Sequence, residues 1–172
     1  PISVSRGAYW LGITYKKIKN IKKSNEWFLE ASKYMNTYYG QLAFVEINPG
    51  NAFALDDLPK VSKEYEKKFI KHILYKSVKL LHELNKTKYA KDLLKHLATL
   101  DIDSGSEILA GKLAIQIGRY DYAIQISKKA SYEKRFYNKL NYPIIEIPKI
   151  VNNKSMPKPE LVLSVIRQES EF

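Results

Sequence analysis

The sequence predicts an all-α protein built as a stack of helix pairs. Two observations carry that expectation. Apolar residues recur with the period of an α-helix along most of the chain. One helix–turn–helix pattern also returns after 33 residues, at Leu84-Asn85, Ala90 and Leu93-Leu94, then at Ile117-Gly118, Ala123 and Ile126.

Residues 5–20 carry Ala8, Leu11, Tyr15 and Ile18 at i, i+3, i+7 and i+10, one helical stripe. Ser24 reads as the opening of a second helix, with Trp27, Phe28, Ala31 and Tyr34-Met35 on one face. A short segment follows around Tyr39-Gly40-Gln41-Leu42-Ala43. Pro49-Gly50 and Asp56-Asp57-Leu58-Pro59 mark turns with a loop between them. Residues 62–84 read as one long helix. In the repeat, Asn85 and Gly118 tolerate a left-handed backbone, the usual way to end a helix. Asn20, with Trp27 and Phe28 beyond it, fits the same pattern loosely. Ser104-Gly105-Ser106-Glu107 reads as a capping box opening the helix that ends near Ile117. Two-helix units at a period near 33 suggest a tetratricopeptide-like superhelical stack over residues 1–140, expected to continue before residue 1.

The tail changes character. Tyr142-Pro143, Pro148, Asn152-Asn153 and Pro157-Lys158-Pro159 break the periodicity, so residues 141–158 read as an extended linker. Pro159-Glu160 suits a helix start, with Pro in the first turn and an acid at the positive end. Leu161, Val162, Leu163, Val165 and Ile166 cover nearly the whole circumference, the mark of a helix buried in a core. Yet the chain stops at Phe172. The expectation is a piece of a longer protein, with this last helix frayed or packed on a surrogate surface.

Composition narrows the function classes. The chain has 172 residues, 45% apolar and 27% charged, which suits a folded domain rather than disorder. No apolar run approaches the roughly 20 residues of a membrane span, and Pro1-Ile2-Ser3-Val4-Ser5 is no signal peptide. Cys is absent, which excludes disulfides, thiol nucleophiles and thiolate metal sites. His72, His82 and His96 are too scattered for a metal site. No glycine-rich phosphate loop or Ser/His/Asp order appears, so no cofactor is expected. The net charge of +11 rests on Lys spread over nearly every helix, with only Arg6, Arg119, Arg135 and Arg167 beside it. That reads as solvated helix faces with a diffuse attraction for anionic polymers, not as a nucleic-acid reader. The chain's 13 Tyr and 2 Trp could stack on sugars, but Tyr9, Trp10, Tyr15, Trp27 and Tyr34 are read as packing residues.

The last helix carries the chemistry. Glu169 lies seven, four and three residues after Val162, Val165 and Ile166, on the same stripe. A carboxyl group held among apolar side chains loses hydration, and its pKa should rise, which suits a general acid acting on a glycosidic oxygen. An ion pair or an amide partner for that Glu is the plainer alternative.

The stretch ending in Val165-Ile166-Arg167-Gln168-Glu169-Ser170-Glu171-Phe172 resembles the opening of the catalytic domain of soluble lytic murein transglycosylases. Tyr142-Pro143 is similar to that family's linker. Ser5-Arg6-Gly7-Ala8-Tyr9-Trp10-Leu11-Gly12 and Tyr38-Tyr39-Gly40-Gln41-Leu42-Ala43 resemble its superhelical region. Glu171 departs from the family's more usual small residue. The resemblance implies that residues 159–172 begin a lysozyme-like domain. It implies cleavage of the β-1,4 bond between N-acetylmuramic acid and N-acetylglucosamine in peptidoglycan, leaving a 1,6-anhydro-muramyl end, in the periplasm. Glu169 would be the single catalytic acid and base, unlike the usual two-carboxylate glycosidase. Ser170 would orient it or the substrate, or would simply be a back-bonding helix Ser. The family's Gly-Leu-Met-Gln-type motif and its later Tyr-Asn motif, which build the cleft, would lie downstream of the catalytic helix and are not found there in this chain, so the chain alone is expected to be inactive. The competing reading is a non-enzymatic tetratricopeptide-like interaction scaffold; a basic nucleic-acid binder is the third.

Overall fold

The computed structural model describes residues 2–51, 57–147, 150–151, 154–155 and 157–169. The described residues are all-helical apart from one antiparallel ladder of two residues per strand, β1 (Ile150–Val151) and β2 (Lys154–Ser155), and their connecting segments. The ladder falls where the proline spacing predicts extended chain. The helices group into two compact units.

The first unit comprises Pro1–Asp56 and Ser131–Phe136. It holds α1 (Ile2–Lys17), α2 (Ile21–Ser32) and α3 (Tyr38–Ile47). Its core is Ala8, Phe28, Ala31 and Ala43, with Tyr9, Ile13, Trp27 and Ile47 packed against them. Here α1 departs from the expected stripe. Ser5, Ala8 and Gly12 are the buried residues, whereas Leu11 and Ile18 are exposed. Small side chains let α2 approach closely: a Cβ on Gly12 would sit 2.6 Å from the Phe28 ring. Ser24 does not open α2. Asn20 caps it, its side chain accepting from the Lys23 N–H, and Ser24 is buried one turn in, donating to the Gly12 carbonyl at 2.8 Å. Tyr34 and Met35 lie beyond the helix end at Ser32.

The second unit comprises Asp57–Ala130 and Tyr137–Phe172. Its elements are α4 (Lys63–Lys71), α5 (Ile73–Glu83), α6 (Thr87–Ala98), α7 (Ser106–Gln116), α8 (Tyr120–Tyr132, its last residues counted with the first unit), α9 (Asn138–Asn141) and α10 (Pro159–Glu169). Phe69, Val78, Leu94, Leu97, Leu113, Tyr122 and Ile126 are among the residues of its main core, while Ile108, Ala130, Tyr137 and Leu140 form a second cluster. The long helix expected over 62–84 is two helices. His72 takes an extended conformation, and its Nδ1 accepts the Leu74 N–H, capping α5. The capping box at Ser104 is not formed either. Gly105 turns left-handed (φ +98°) and α7 begins at Ser106. Glu107 is drawn into the interior, where the Tyr137 hydroxyl donates to it at 2.9 Å.

The repeat is visible in the backbone. Lys19, Asn85 and Gly118 all have left-handed φ, +61°, +56° and +72°, at positions two periods and one period of 33 apart. Each closes its helix with the same two bonds. The Lys19, Asn85 and Gly118 N–H groups donate to the carbonyls of Lys16, His82 and Ile115. The next residues, Asn20, Lys86 and Arg119, donate to Tyr15, Leu81 and Ala114. Packing follows the same register. Ser24, Ala90 and Ala123 are buried at equivalent positions of the second helix of each pair, as are Phe28, Leu94 and Ser127, and Ala31, Leu97 and Ala130. The intervening period breaks: α3 is followed by non-helical residues at 57–62, including Pro59. This is a helical, repeat-like architecture with one interrupted unit.

Candidate active site

Helix α10 begins as its sequence dictates. Pro159 needs no N–H partner in the first turn, Glu160 sits at the positive end, and the Lys158 carbonyl accepts from Leu161 (3.0 Å) and Val162 (3.2 Å). Near its other end, Arg167 fixes the helix to the C-terminal end of α9. Its Nε donates to the Asn141 carbonyl at 3.1 Å and its Nη2 to Asn141 Oδ1 at 2.9 Å. The guanidinium lies 5.8 Å from the centre of the Tyr142 ring. Burial pushes the Tyr142 hydroxyl above the usual tyrosine range, and the Arg167 charge partly opposes that shift. The helix is therefore anchored by a specific polar contact. Its apolar circumference is not enclosed: Leu161 is 58% and Val165 53% exposed, and Val162, Leu163 and Ile166 are half-buried.

Glu169 is the last residue of α10 and is exposed. The dry surround expected for it is not supplied by the described residues. Ser170, the possible orienting residue, and Glu171 lie outside the described residues.

Two further features differ from what the sequence predicts. Glu107, expected as a capping acid, is 4% exposed and forms part of the wall of a cleft of about 330 Å³ in the second unit, together with Lys95, Thr99, Gln125 and Lys129. The signal available in the sequence is its place just before the apolar run Ile108-Leu109-Ala110-Gly111; all residues from Ser106 to Gly111 are buried. Trp10, expected as a packing residue, is 54% exposed. It is two residues from both Ala8 and Gly12, about 200° around the helix from the face that α1 buries. Its indole meets Tyr9 at 5.6 Å, Tyr9 meets Tyr39 at 5.6 Å, and Tyr39 meets Tyr38 at 5.3 Å.

Among the described residues no three His, Cys, Asp or Glu side chains are grouped to hold a metal ion. His72 caps α5, while His82 and His96 sit in the last turns of α5 and α6. No described helix is long and apolar enough to cross a membrane. No family model, no curated protein and no solved structure matches the chain.

Proposed function

We propose that this chain supplies the helical region and the catalytic helix of a peptidoglycan lytic transglycosylase. The supporting observation is a meeting of two segments that the resemblance picks out separately. Arg167 of the Arg-Gln-Glu-Ser motif is seated on Asn141 and Tyr142, at the start of the Tyr-Pro linker. That contact fixes α10 on the second unit, which supports reading Glu169, on the same helix, as a positioned general acid. In the reaction, Glu169 would protonate the glycosidic oxygen as the bond to the muramyl C1 breaks. The resulting carboxylate would then take the proton from the muramyl C6 hydroxyl as that oxygen closes on C1. No water is consumed, and the product carries the 1,6-anhydro ring. The domain boundaries proposed are 1–140, 141–158 and 159–172, and the setting is the periplasm.

The cleft-building motifs expected after the catalytic helix are not found there in these 172 residues, so the purified chain should release no anhydro-muropeptides from sacculi. The deciding test uses the gene product that contains this chain. Wild type should yield anhydro-muropeptides by mass spectrometry, and Glu169→Gln should reduce their rate by several orders of magnitude. Undiminished digestion by Glu169→Gln would refute the assignment.

A second reading is a tetratricopeptide-like interaction scaffold without enzymatic role. The 33-residue recurrence of the left-handed turn favours it. It predicts further helix pairs, and no anhydro products, from the same gene product.

A further inference from the structure

Helix α1 has an outer face that folding does not use. Arg6, Gly7, Trp10, Thr14 and Lys17 are all exposed and fall at helical spacing along it. Two of them are costly choices for a bare surface. A helix-interior glycine is about 1 kcal/mol worse than alanine. Elsewhere in α1 the glycine is explained, because a Cβ at Gly12 would strike Phe28. At Gly7 a Cβ would meet nothing within 4 Å, so no packing among the described residues calls for a glycine there. What it does is leave open backbone one turn before the exposed indole of Trp10. Glycine at such a place lets another molecule approach closely.

The charges select among approaching molecules. Arg6 lies about 6 Å along the axis before Trp10, and Lys17 about 10.5 Å after it, at 1.5 Å per residue. No acidic residue occurs anywhere in α1. The face is thus a cation, an open shelf, an aromatic plane, a hydroxyl and a second cation. The Thr14 hydroxyl donates to the Trp10 carbonyl at 2.8 Å, which leaves its oxygen lone pairs as acceptors. A pyranose ring presents an apolar face of C–H groups, which suits the electron-rich plane of an indole. A carboxylate on that sugar, or on its substituent, suits the flanking cations.

We propose that the Arg6–Gly7–Trp10–Lys17 face of α1 binds carboxylate-bearing glycan strands, holding them on the first unit. The inference rests on the peptidoglycan reading, which it deepens by placing a second glycan contact on residues that take no part in the chemistry of Glu169. A single-stranded nucleic acid is the competing occupant. Such sites present successive rings to successive bases. On this face Trp10 is the only ring, and the next exposed one, Tyr38, sits on α3 and is linked to it only through Tyr9 and Tyr39.

The test is co-sedimentation of the 172-residue chain with purified sacculi, with neutral chitin particles as the uncharged control and a single-stranded oligothymidine as competitor. Expected are saturable binding to sacculi, much weaker binding to chitin, and about a tenfold weaker apparent Kd for sacculi in Trp10→Ala. Gly7→Gln should bind as weakly while melting at a higher temperature than wild type, which separates loss of the shelf from loss of the fold. Sacculus binding unchanged in both variants overturns the proposal, as do equal binding to chitin and full displacement by the oligonucleotide. The result is independent of the catalytic reading. A fully active Glu169→Gln enzyme would refute the catalytic role while leaving these binding data to stand.

Discussion

The three left-handed turns make a reciprocal experiment possible, because the same backbone position is filled by Lys19, Asn85 and Gly118. An L-residue in this conformation is disfavoured by about 1–2 kcal/mol, a cost that glycine escapes. A Cβ added at Gly118 would meet nothing within 4 Å, so Gly118→Ala tests the backbone cost with no steric contribution. Against that cost stands the lower entropy of an unfolded chain carrying Ala, about 0.4–1 kcal/mol. The net expectation is destabilisation by about 0.5–1 kcal/mol. Lys19→Gly runs the balance in the other direction and should stabilise by a similar amount. In a unit of this size, that corresponds to a rise in melting temperature of roughly 2–8 °C. The assay separates the units, because both tryptophans, Trp10 and Trp27, lie in the first. Lys19→Gly should raise the urea midpoint followed by fluorescence. Gly118→Ala should lower the midpoint of the part of the far-ultraviolet circular dichroism that fluorescence does not follow. A neutral or stabilising Gly118→Ala, or a destabilising Lys19→Gly, would show that the three turns do not share the left-handed geometry.

Other substitutions test packing and electrostatics. Gly12→Ala places a methyl group against the Phe28 ring and should cost about 1–3 kcal/mol in fluorescence-detected urea unfolding. Pairing Gly12→Val with Phe28→Leu, which copies Val78 and Leu94 at the equivalent sites, should recover part of the loss. Tyr137→Phe removes one donor from the buried Glu107 carboxylate and should cost about 1–3 kcal/mol in the dichroism-detected transition. Tyr9, Tyr65, Tyr122 and Tyr142 are all shifted upward, chiefly by burial. Each raised value favours the neutral phenol in the folded state, so its stabilisation is complete below the ordinary tyrosine range near 10 and is lost as pH rises through the folded-state value. Tyrosinate absorbance should therefore show a late-titrating group of side chains that joins the early group in urea.

The architecture is legible because helix-ending residues leave a local mark. Asn85 and Gly118 are residues whose own backbone preferences announce a left-handed turn, and both turns are where the sequence places them. Lys19 makes the same turn with a residue that gives no such signal, so local preference points one residue late, to Asn20, which serves as the cap of α2. Periodicity locates α1 but not its buried face. Leu11 and Ile18 outrank Ser5 and Gly12 in hydrophobicity, yet close approach to α2 favours small residues over apolar ones. The break at His72 is hidden because a histidine side chain can cap a helix through its own ring nitrogen, without proline or glycine. Glu107 resembles a capping acid because the box pattern records spacing and not direction. Its partner Tyr137 is 30 residues away, beyond the reach of any local rule. At the site, the helix of Glu169 is legible from Pro159 onward, whereas the seat of Arg167 on Asn141 is a tertiary contact that no local pattern encodes.

Leu161 and Val165 precede Glu169 by eight and four residues, so the three share one side of α10, and all three are exposed. Any surface that covers the two aliphatic side chains must also exclude water from the carboxyl group beside them. Under the proposed function, removing water from Glu169 and burying Leu161 and Val165 are therefore one event, and the helix is only competent when covered. Val165→Thr tests this in the gene product that contains this chain. It keeps the shape of the side chain while placing a hydroxyl group one turn from the carboxyl. A wetter surround favours the ionised form of a carboxyl group. Under the proposed function, release of anhydro-muropeptides should then slow while substrate affinity stays near wild type. The same substitution in the 172-residue chain should leave its melting temperature within about 1 °C, since Val165 is already exposed there. Undiminished release, with the fold retained, would mean that cover over this face of α10 plays no part in the chemistry proposed for Glu169.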